Sequence, residues 1–378
     1  MIYLDYQATT PVAPEVAAAM RPWIEEGFGN PHSAHRPGRE AAAAVEVARE
    51  KILSALALGA AEASPAGRIF FTSGATEAAN WALKGAAARL PASRRRIVTL
   101  ATEHACVLDT MGWLAAQGFE VDILPVRSDG LVDLDVAAAR ITGETGLVAA
   151  MLVNNEIGVI QPVADLAALA RGVGALFFCD AVQALGRVPI PLPVCDMVAV
   201  SAHKVHGPKG IGALWLREGT AIDPLLHGGG QEGGLRSGTL SPALCVGFGE
   251  AARLLAARAG EDEIHVGRLW SVARAALCDW SLNGSGERRY RGNLNLRREG
   301  LDSARLLSEV REVAISAGSA CASGSGRPSH VLSALGLSER EARSSIRIGF
   351  GRYTKEEDLV RALSLIADAA NRQQAFAA

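Results

Sequence analysis

Short apolar runs alternate with helical patterns between residues 68 and 216, and this alternation limits the fold more than any other feature of the sequence. Strand-like runs lie at residues 69–72, 97–100, 121–125, 147–153, 176–179, 198–201 and 213–216. Helical patterns separate most of them, for example at residues 75–90, 105–117 and 163–171. Such alternation is typical of a mostly parallel sheet covered by helices on both faces. We therefore predict an α/β fold built on a mostly parallel, seven-stranded sheet.

The last third of the chain has a different pattern. A helical stretch at residues 242–259 is followed by a second predicted helix that ends near residue 280. Strands at residues 293–297 and 345–350 then alternate with helices at residues 303–311 and 355–371. We interpret residues 259–378, completed by the N-terminal residues 1–13, as a smaller α+β domain beside a large domain of residues 14–258. A chain of 378 residues is long enough to bury two such cores.

Composition and charge argue against several classes of function. The formal net charge is −2 at pH 7, which predicts neither direct nucleic-acid binding nor a membrane surface. The first residues lack the basic and apolar regions of a signal peptide, and no apolar run approaches the ~20 residues of a membrane helix. The six cysteines show no C-x-x-C spacing and indicate no metal site. We predict a cytoplasmic protein with free thiols and no bound metal.

Lys204 follows the apolar run at residues 198–201, where a parallel sheet places its ligands. Burying an ammonium group is costly, and desolvation lowers the pKa of a lysine and makes its amine nucleophilic, as Schiff-base chemistry requires. Of the five lysines in the chain, only Lys204 and Lys209 lie beyond strand ends. The alternative interpretation is a lysine whose side chain reaches solvent.

Two further strand ends carry groups that could hold a cofactor. After the strand at residues 69–72, the amides of Ala75 and Thr76 open a helix and offer a phosphate pocket, unless the segment is a plain capping box. Asp180 ends another apolar strand, with Gln183 three residues later. A carboxylate in that position needs a cationic partner or several donors, although an N-cap aspartate is the simpler alternative.

His104 and Asn155 also follow strands. His104 could lie against a flat ring and move protons at neutral pH, whereas a capping or core histidine is the alternative. Asn155 could be a turn residue. Taken together, a phosphate anchor, a ring face, a carboxylate and a lysine at the ends of one sheet are what pyridoxal phosphate requires. A nucleotide site fits worse, because neither G-x-x-x-x-G-K-[ST] nor a strand-linked G-x-G-x-x-G is present.

Two more residues suggest chemistry on a small substrate. Cys321 lies among glycines and small residues at positions 316–329, so we expect it on a mobile tether, where its thiol can act as a nucleophile that carries a group elsewhere. An incidental surface cysteine is the alternative. Arg347, in a short strand, could bind a carboxylate with two parallel hydrogen bonds, unless it forms a surface ion pair.

The motifs that contain these residues resemble the pyridoxal-phosphate-dependent cysteine desulfurases of the NifS/IscS type, in the class-V aminotransferase family. The resemblance extends over nearly the whole length, through YLDYQATTPV, GNPHSAHRPGR, FTSGATEAAN, TEHACVL, VNNEIGVIQP, CDAVQALGRVPI, SAHKVHGPKGIGAL, HGGGQEGGLRSGTL, AISAGSACASG and SSIRIGFGRYTKEE. It implies the fold of fold-type I pyridoxal-phosphate-dependent transferases and a homodimer.

The resemblance also implies a role for each site residue. Lys204 would hold the cofactor covalently, Asp180 would pair with its pyridine nitrogen, and His104 would stack on its ring. Gln183 would bind the ring hydroxyl. The phosphate would be bound by Ala75, Thr76, Ser201 and His203, with Thr239 reaching it from the other subunit. Asn155, which would also contact the cofactor, and Arg347 would hold the substrate carboxylate.

The implied reaction removes sulfur from L-cysteine. The amine of L-cysteine replaces the Lys204 amine on the cofactor, Lys204 takes the Cα proton, and the Cys321 thiolate attacks the substrate sulfur. Alanine leaves and Cys321 keeps a persulfide, which passes to an acceptor protein such as an iron–sulfur scaffold or a sulfur-relay protein.

Four positions depart from the family pattern without removing a catalytic group: Ala78, Ala202, Gly233 and Gly349. Two alternatives stay open at the level of sequence. One is another pyridoxal enzyme, a selenocysteine lyase or an aminotransferase-like enzyme, although an aminotransferase needs no thiol. The other is a catalytically silent scaffold in a sulfur-transfer complex, which the intact Lys204, Asp180, His104 and Cys321 argue against.

Overall fold

The computed structural model describes residues 1–59, 65–317 and 329–377. Its α-helices are α1 (Pro14–Glu25), α2 (Arg36–Leu56), α3 (Ala75–Ala87), α4 (Ala105–Ala116), α5 (Leu134–Arg140), α6 (Val163–Gly172), α7 (Pro242–Ala276), α8 (Ser303–Glu309), α9 (His330–Ala334), α10 (Glu339–Arg343) and α11 (Glu356–Ala377). Its strands are β1 (Ile2–Tyr3), β2 (Gly67–Thr72), β3 (Arg96–Leu100), β4 (Glu120–Leu124), β5 (Thr145–Met151), β6 (Leu176–Asp180), β7 (Met197–Ser201), β8 (Gly212–Arg217), β9 (Ser281–Leu282), β10 (Asn293–Arg297), β11 (Val313–Ala314) and β12 (Ser345–Gly349).

Seven strands form the central sheet, in the order β2-β8-β7-β6-β5-β3-β4. The neighbours from β7 to β4 pair in parallel, and β8 runs antiparallel to both β7 and β2. The predicted mostly parallel, seven-stranded sheet is therefore confirmed. Every residue of β5 and β7 is buried, as expected for strands covered on both faces.

Side chains of alternate strand residues contribute to two hydrophobic clusters, one on each face of the sheet. On β6, Phe177 and Cys179 belong to one cluster, and Phe178, which points the other way, belongs to the second. This two-sided burial follows from the period-2 alternation of a strand and explains why the strands are short uninterrupted apolar runs.

Helix α7 corrects the sequence-based prediction of two helices after residue 242. It is one helix of 35 residues that continues through Gly260. Its first half packs Phe248 and Leu255 into the core of the large sheet, whereas Leu269 and Ala273 belong to a separate cluster that also contains Leu4. A glycine inside a helix costs only ~1 kcal/mol relative to alanine, and apolar packing on both sides of Gly260 exceeds that cost.

A second region contains a three-stranded antiparallel sheet, in the order β12-β10-β9, and the parallel pair β1-β11. The strands β1, β9 and β11 have two residues each, which is too short to show the alternation by which a strand is predicted. None of the described helices is both long and apolar enough to cross a membrane.

Candidate active site

A cavity of about 1020 Å³ opens at the carboxyl ends of the parallel strands. Met151, Asp180 and Ser201, the last residues of β5, β6 and β7, line it. Ligands in open α/β sheets bind at this edge. The structure brings together in this one cavity most of the residues that the sequence indicated: Ala75, Thr76, His104, Asn155, Asp180, Gln183, Ser201, His203, Lys204 and Arg347.

Lys204 ends a short 3-10 turn that directly follows β7. Its Nζ donates hydrogen bonds to the backbone oxygens of Gln7 (2.6 Å) and Ala8 (2.8 Å), in the N-terminal segment. The side chain is only partly buried and lines the cavity. The amine is therefore fixed in position by the first residues of the chain while it remains accessible to a bound molecule.

Asp180 lines the same cavity and is buried, with 6% of its surface exposed. Its Oδ1 accepts a hydrogen bond from the amide of Val182 at 2.9 Å. Burial raises the pKa of its carboxyl, and that amide, His104 and Lys204 oppose the shift. A cationic ring nitrogen placed here would supply the close positive charge that the buried carboxylate needs.

Gln183 is held by two neighbours. Its Nε2 donates to the backbone oxygen of Gln7 at 2.9 Å, and its Oε1 accepts from Arg187. The side chain is buried, and it lines the cavity beside Asp180. Its orientation is thus set by the same N-terminal segment that positions Lys204.

His104 is the N-cap residue of α4, and its Nδ1 accepts a hydrogen bond from the amide of Cys106 at 3.1 Å. Burial lowers the pKa of His104, and the nearby Lys204 lowers it further, whereas Asp180 raises it. The residue caps a helix, as one interpretation from the sequence expected, and it also lines the cavity, whereas its role against a flat ring stays a prediction.

The proposed phosphate end is the N-terminus of α3, a helix of 13 residues whose N-cap, Gly74, has no side chain to satisfy the first amides. A Cβ added to Gly74 would meet no atom within 4 Å, and Gly74, Ala75 and Thr76 all line the cavity. Ser73 does not cap the helix through its side chain; instead, its amide donates to Glu77 at 2.8 Å. Only one of the two hydrogen bonds of a capping box is therefore present, the one in which Glu77 accepts from the Ser73 amide.

His203 also lines the cavity, and its Nδ1 is 3.2 Å from Oγ1 of Thr9. Burial first, and then the charges of Lys204 and Lys209, lower the pKa of His203 to about 4. At neutral pH the ring is therefore uncharged and acts through a hydrogen bond rather than through a positive charge.

Arg347 and Asn155 also line the cavity and contact each other. The Arg347 side chain is buried, so the alternative of a surface ion pair is wrong. Its Nη1 donates to the backbone oxygen of Asn155 (3.0 Å), and its Nη2 donates to Asp5 (2.8 Å) and to Ser316 (3.3 Å). Nε is buried and has no partner among the described residues, and the guanidinium as a whole lines the cavity.

These residues fit pyridoxal phosphate. The cavity contains a buried carboxylate whose pKa burial raises, a lysine, helix amides without a side-chain cap and an arginine. Asp180 and the N-terminus of α3 carry this conclusion, because a cationic ring nitrogen would stabilise the buried carboxylate and a phosphate would accept from the helix amides.

Two predicted site residues are not among the cavity-lining residues. Thr239 is exposed and does not line the cavity of its own chain. This position agrees with the prediction that Thr239 reaches the phosphate of a second subunit, but it does not test that prediction. Cys321 lies outside the described residues.

Sequence reasoning missed His330, Asp5 and Gln7. His330 and Gln7 line the cavity, and Asp5 is the ion-pair partner of Arg347. No strand-end pattern pointed to them, because Asp5 and Gln7 reach the site from a distant N-terminal segment. His330 could have been noticed, since it directly follows the small-residue stretch and lies nine positions after Cys321.

Comparison with known proteins agrees with this geometry. The family profile "Aminotransferase class-V" matches residues 2–362. The cysteine desulfurase IscS of Rickettsia bellii (strain OSU 85-389) is 43% identical over 98% of this chain and 91% of its own length. A solved structure described as a NifS-like protein superposes with a TM-score of 0.90, at 35% identity over 98% of this chain and 99% of the other. SspA in complex with cysteine superposes with a TM-score of 0.82, at 37% identity over 94% and 100%.

The chain therefore belongs to the class-V aminotransferase family of pyridoxal-phosphate-dependent enzymes. Within that family, it is a cysteine desulfurase of the NifS/IscS type. This result favours the enzyme over the alternative of a silent scaffold.

The structure explains two of the four departures from the family pattern. Gly233 has a φ of 65°, a left-handed conformation that favours glycine where the family commonly has arginine. At Gly349 the N-terminal segment crosses so closely that an added Cβ would collide with Gln7 and Tyr6. Ala78 and Ala202 are fully buried, and nothing in the structure explains why alanine replaces the usual residues there.

Proposed function

We propose that Lys204, Asp180, His104 and Arg347 perform the desulfurase reaction on L-cysteine in this cavity, and that Cys321 accepts the sulfur. The observation that carries the proposal is that the lysine, the buried carboxylate, the helix N-terminus and Arg347 line one cavity. Pyridoxal phosphate, when bound, supplies an electron sink for negative charge that develops on the carbon atoms of the amino acid.

The protein residues fix the reactants and move protons. The amides of Ala75 and Thr76, with Ser201 and His203, hold the phosphate, while Gln183 binds the ring hydroxyl. Arg347 and Asn155 hold the substrate carboxylate, so Cα lies towards Lys204. The Lys204 amine takes the Cα proton, because Gln7 and Ala8 keep its Nζ in the cavity.

Asp180 stabilises a neighbouring positive charge, and His104 supplies a proton. The buried Asp180 carboxylate stays ionised when a cation lies beside it, and it thereby keeps that cation protonated. His104, neutral at pH 7 through its lowered pKa, stacks on the cofactor and donates a proton from Nε2, since its Nδ1 already accepts from Cys106.

In the sulfur-transfer step, the Cys321 thiolate forms an S–S bond to the substrate sulfur and the C–S bond breaks. The electron pair of that bond stays with the carbon atom, which becomes the methyl group of alanine after it gains a proton. We propose that the persulfide then passes to an acceptor protein, for iron–sulfur cluster assembly or for another sulfur-containing cofactor, in the cytoplasm.

We also propose a homodimer in which Thr239 of each chain completes the phosphate site of the other. Support comes from the position of Thr239, which is exposed and lies outside the lining of its own cavity. Its segment, near the left-handed Gly233 and Gly234, is held to the body of the chain through Glu232.

The test measures alanine and sulfide formed from L-cysteine and a reductant by three proteins: the wild type, Cys321→Ser and Cys278→Ser. Cys278 is an exposed thiol outside the cavity and serves as the matched control. We expect equal amounts of alanine and sulfide from the wild type and from Cys278→Ser, and loss of both products in Cys321→Ser with the bound cofactor retained. Full activity in Cys321→Ser would show that another group accepts the sulfur.

A further inference from the structure

Arg187 is a partly buried cation that the proposed mechanism does not use. It lies in the turn after β6, and its guanidinium lies over the ring of Tyr290, 5.2 Å from the centre. Among the residues that the structure describes, no carboxylate pairs with it. Burial lowers the pKa of Arg187, but an arginine keeps its charge at neutral pH. The positive charge is therefore available to an anion bound nearby.

The Arg187 guanidinium contacts two of the residues assigned to the cofactor. Its Nη1 donates to Oε1 of Gln183 and, at 3.3 Å, to the backbone oxygen of the same residue. Its Nη2 donates to the backbone oxygen of Lys204 at 2.7 Å. Arg187 itself is not among the residues that line the cofactor cavity, so it acts on the cavity through these two neighbours.

The contacts of Gln183 define the orientation of its side-chain amide. A guanidinium only donates, so the atom that faces Arg187 is the amide oxygen. The backbone oxygen of Gln7 only accepts, so the atom 2.9 Å from it is the amide nitrogen. Nε2 keeps a second hydrogen, whereas Oε1 is already bound to a cation and is a weaker acceptor for any other donor. The amide is therefore oriented to donate to an oxygen of the ring rather than to accept from a ring hydroxyl.

We propose that Arg187 is a positioning residue that, through Gln183, holds the ring oxygen of the cofactor in its anionic form. The inference rests on the proposed function, in which Gln183 binds the ring hydroxyl. A donated hydrogen bond and a nearby positive charge both favour the oxygen without its proton. The same charge disfavours other cations, so it should lower the pH at which the linkage between Lys204 and the cofactor loses its proton.

Other titratable groups surround Arg187 and Lys204. Burial is the main cause that lowers the pKa of both His203 and His206 to about 4, so these rings are neutral at and above neutral pH. The remaining groups are Tyr6, Tyr290, His104, Asp180, Asp262 and Arg352. The last two form an ion pair of 2.6 Å with each other. The variants compared below keep all of these groups, so a difference between variants reports the changed residue.

The experiment follows the absorbance of the bound cofactor against pH, without substrate, in the wild type, Arg187→Met and Arg187→Lys. The absorbance changes when the linkage to Lys204 loses its proton, so the midpoint of the titration reports the charge in its surroundings. Arg187→Met removes the charge and keeps an unbranched side chain against Tyr290. Arg187→Lys keeps the charge and tests whether it rescues the wild-type midpoint.

Arg289→Met is the matched control. Like Arg187, Arg289 donates to backbone oxygens, those of Ile157 and Asn283, and its guanidinium lies over an aromatic ring, that of Trp270. It lines neither the cofactor cavity nor the small cavity beside Arg187. Its replacement removes an arginine of the same kind from a place where it contacts neither Gln183 nor Lys204.

We expect the midpoint to rise by about one pH unit in Arg187→Met, because a neighbouring positive charge favours loss of the proton. Arg187→Lys and Arg289→Met should keep the wild-type midpoint. In a Gln183→Ala background, Arg187→Met should raise the midpoint by about half that amount or less, since the amide that transmits the effect is absent. The cofactor absorbance itself shows that each variant is folded and loaded.

Arg187→Gln, which is also uncharged, replaces Arg187→Met if the latter does not retain the cofactor, and it must raise the midpoint as well. An unchanged midpoint in the uncharged variant, or an equal rise in Arg187→Lys, would overturn the inference and leave Arg187 a structural role. An equal rise with and without Gln183 would overturn the action through that residue. None of these measurements uses Cys321, so full activity of Cys321→Ser would overturn the proposed sulfur transfer and leave this inference standing.

Discussion

Two histidines close to Lys204 are uncharged at neutral pH, and burial is the main cause for both. His203 lines the cavity, whereas His206 is buried outside the cavity lining in a left-handed conformation, with a φ of 65°. The His206 Nδ1 is 3.0 Å from the backbone oxygen of Pro11, and its ring contacts Tyr6 and Tyr353 edge to face. Burial, with Arg352 and Arg187 as weaker contributors, lowers the pKa of His206 to about 4.

This lowered pKa makes stability depend on pH. Below pH ~6.5, the pKa of an unperturbed histidine, His206 binds a proton in the unfolded chain but not in the folded chain. The free energy of unfolding is therefore highest above this pH, and it decreases as the pH falls towards the lowered pKa of folded His206. We expect the wild type to lose about 2 kcal/mol more than His206→Gln between about pH 7.5 and about pH 5. Urea titrations at both pH values measure the difference in the free energy of unfolding.

The exposed His32 provides the control, because His32→Gln changes a histidine without changing buried packing. The free energy of unfolding of His32→Gln should match that of the wild type at both pH values. Parallel curves for the wild type and His206→Gln would contradict the prediction and would mean that His206 titrates alike in the folded and unfolded chain.

Sequence reasoning at the scale of single residues succeeded where chemistry and strand ends coincide. Lys204 and Asp180 could be predicted to lie in one site, because the carboxyl ends of neighbouring parallel strands meet at one edge of a sheet. Asp5 and His330 could not, since their place depends on how distant segments cross: Asp5 reaches Arg347 across 342 positions of the chain. The roles of all these residues stay predictions.

At the scale of elements, helix α2 and the segment around Glu232 are joined by a buried ion pair. Arg49 Nη2 is 2.9 Å from Glu232 Oε1, and the other carboxylate oxygen accepts from the amide of Phe71 on β2 at 3.2 Å. The guanidinium also lies over the Phe71 ring, 5.0 Å from its centre. The Glu232 side chain is 2% exposed, so its charge depends on these partners.

Replacing Arg49 with methionine should leave that carboxylate buried without its cation, at a cost of about 3 to 5 kcal/mol in the free energy of unfolding. Arg36→Met, on the same helix, removes the exposed pair with Glu40 and should change stability by at most ~0.5 kcal/mol. Chemical denaturation of both variants tests the prediction. Equal effects would mean that the buried pair contributes no more than an exposed one.

Element boundaries show where sequence patterns stop being informative. The seven predicted strands of the central sheet were each found within two residues of their ends, because buried strands are short apolar runs bounded by polar residues. Helix α7 was divided in two by mistake, since the polar residues after Ala259 resemble a connection. Only the packing of Leu269 and Ala273 against the second cluster shows that the helix continues.

At the scale of the whole molecule, we propose the division into a large domain of residues 14–258 and a small domain of residues 1–13 and 259–378. Support comes from the separate cluster that gathers Leu4, Leu294 and Leu363, residues far apart in the sequence. The proposed boundary lies inside α7, so both domains would share one helix.

The proposed dimer predicts that sites are shared between chains. Co-expressed Lys204→Ala and Thr239→Ala chains should form hybrid dimers in which one site contains both defects and the other contains none. If chains associate at random, activity should recover to about a quarter of the wild-type value, well above that of either variant alone. Purified mixtures are assayed for alanine formation.

Co-expressed Lys204→Ala and Asp180→Ala chains are the control, because both residues line the cavity of the same chain. Every site in their hybrids has one defect, so no activity should return. Equal recovery in the two mixtures, or none in the first, would show that Thr239 does not complete the site of a partner chain.

The continuous helix α7 has a mechanical consequence. At 1.5 Å per residue, its 35 residues form a rod about 52 Å long that is embedded in both hydrophobic clusters. Rotating one cluster against the other would bend this rod and break backbone hydrogen bonds in its middle, near Gly260. The continuous helix therefore opposes a hinge rotation of the two clusters at this connection.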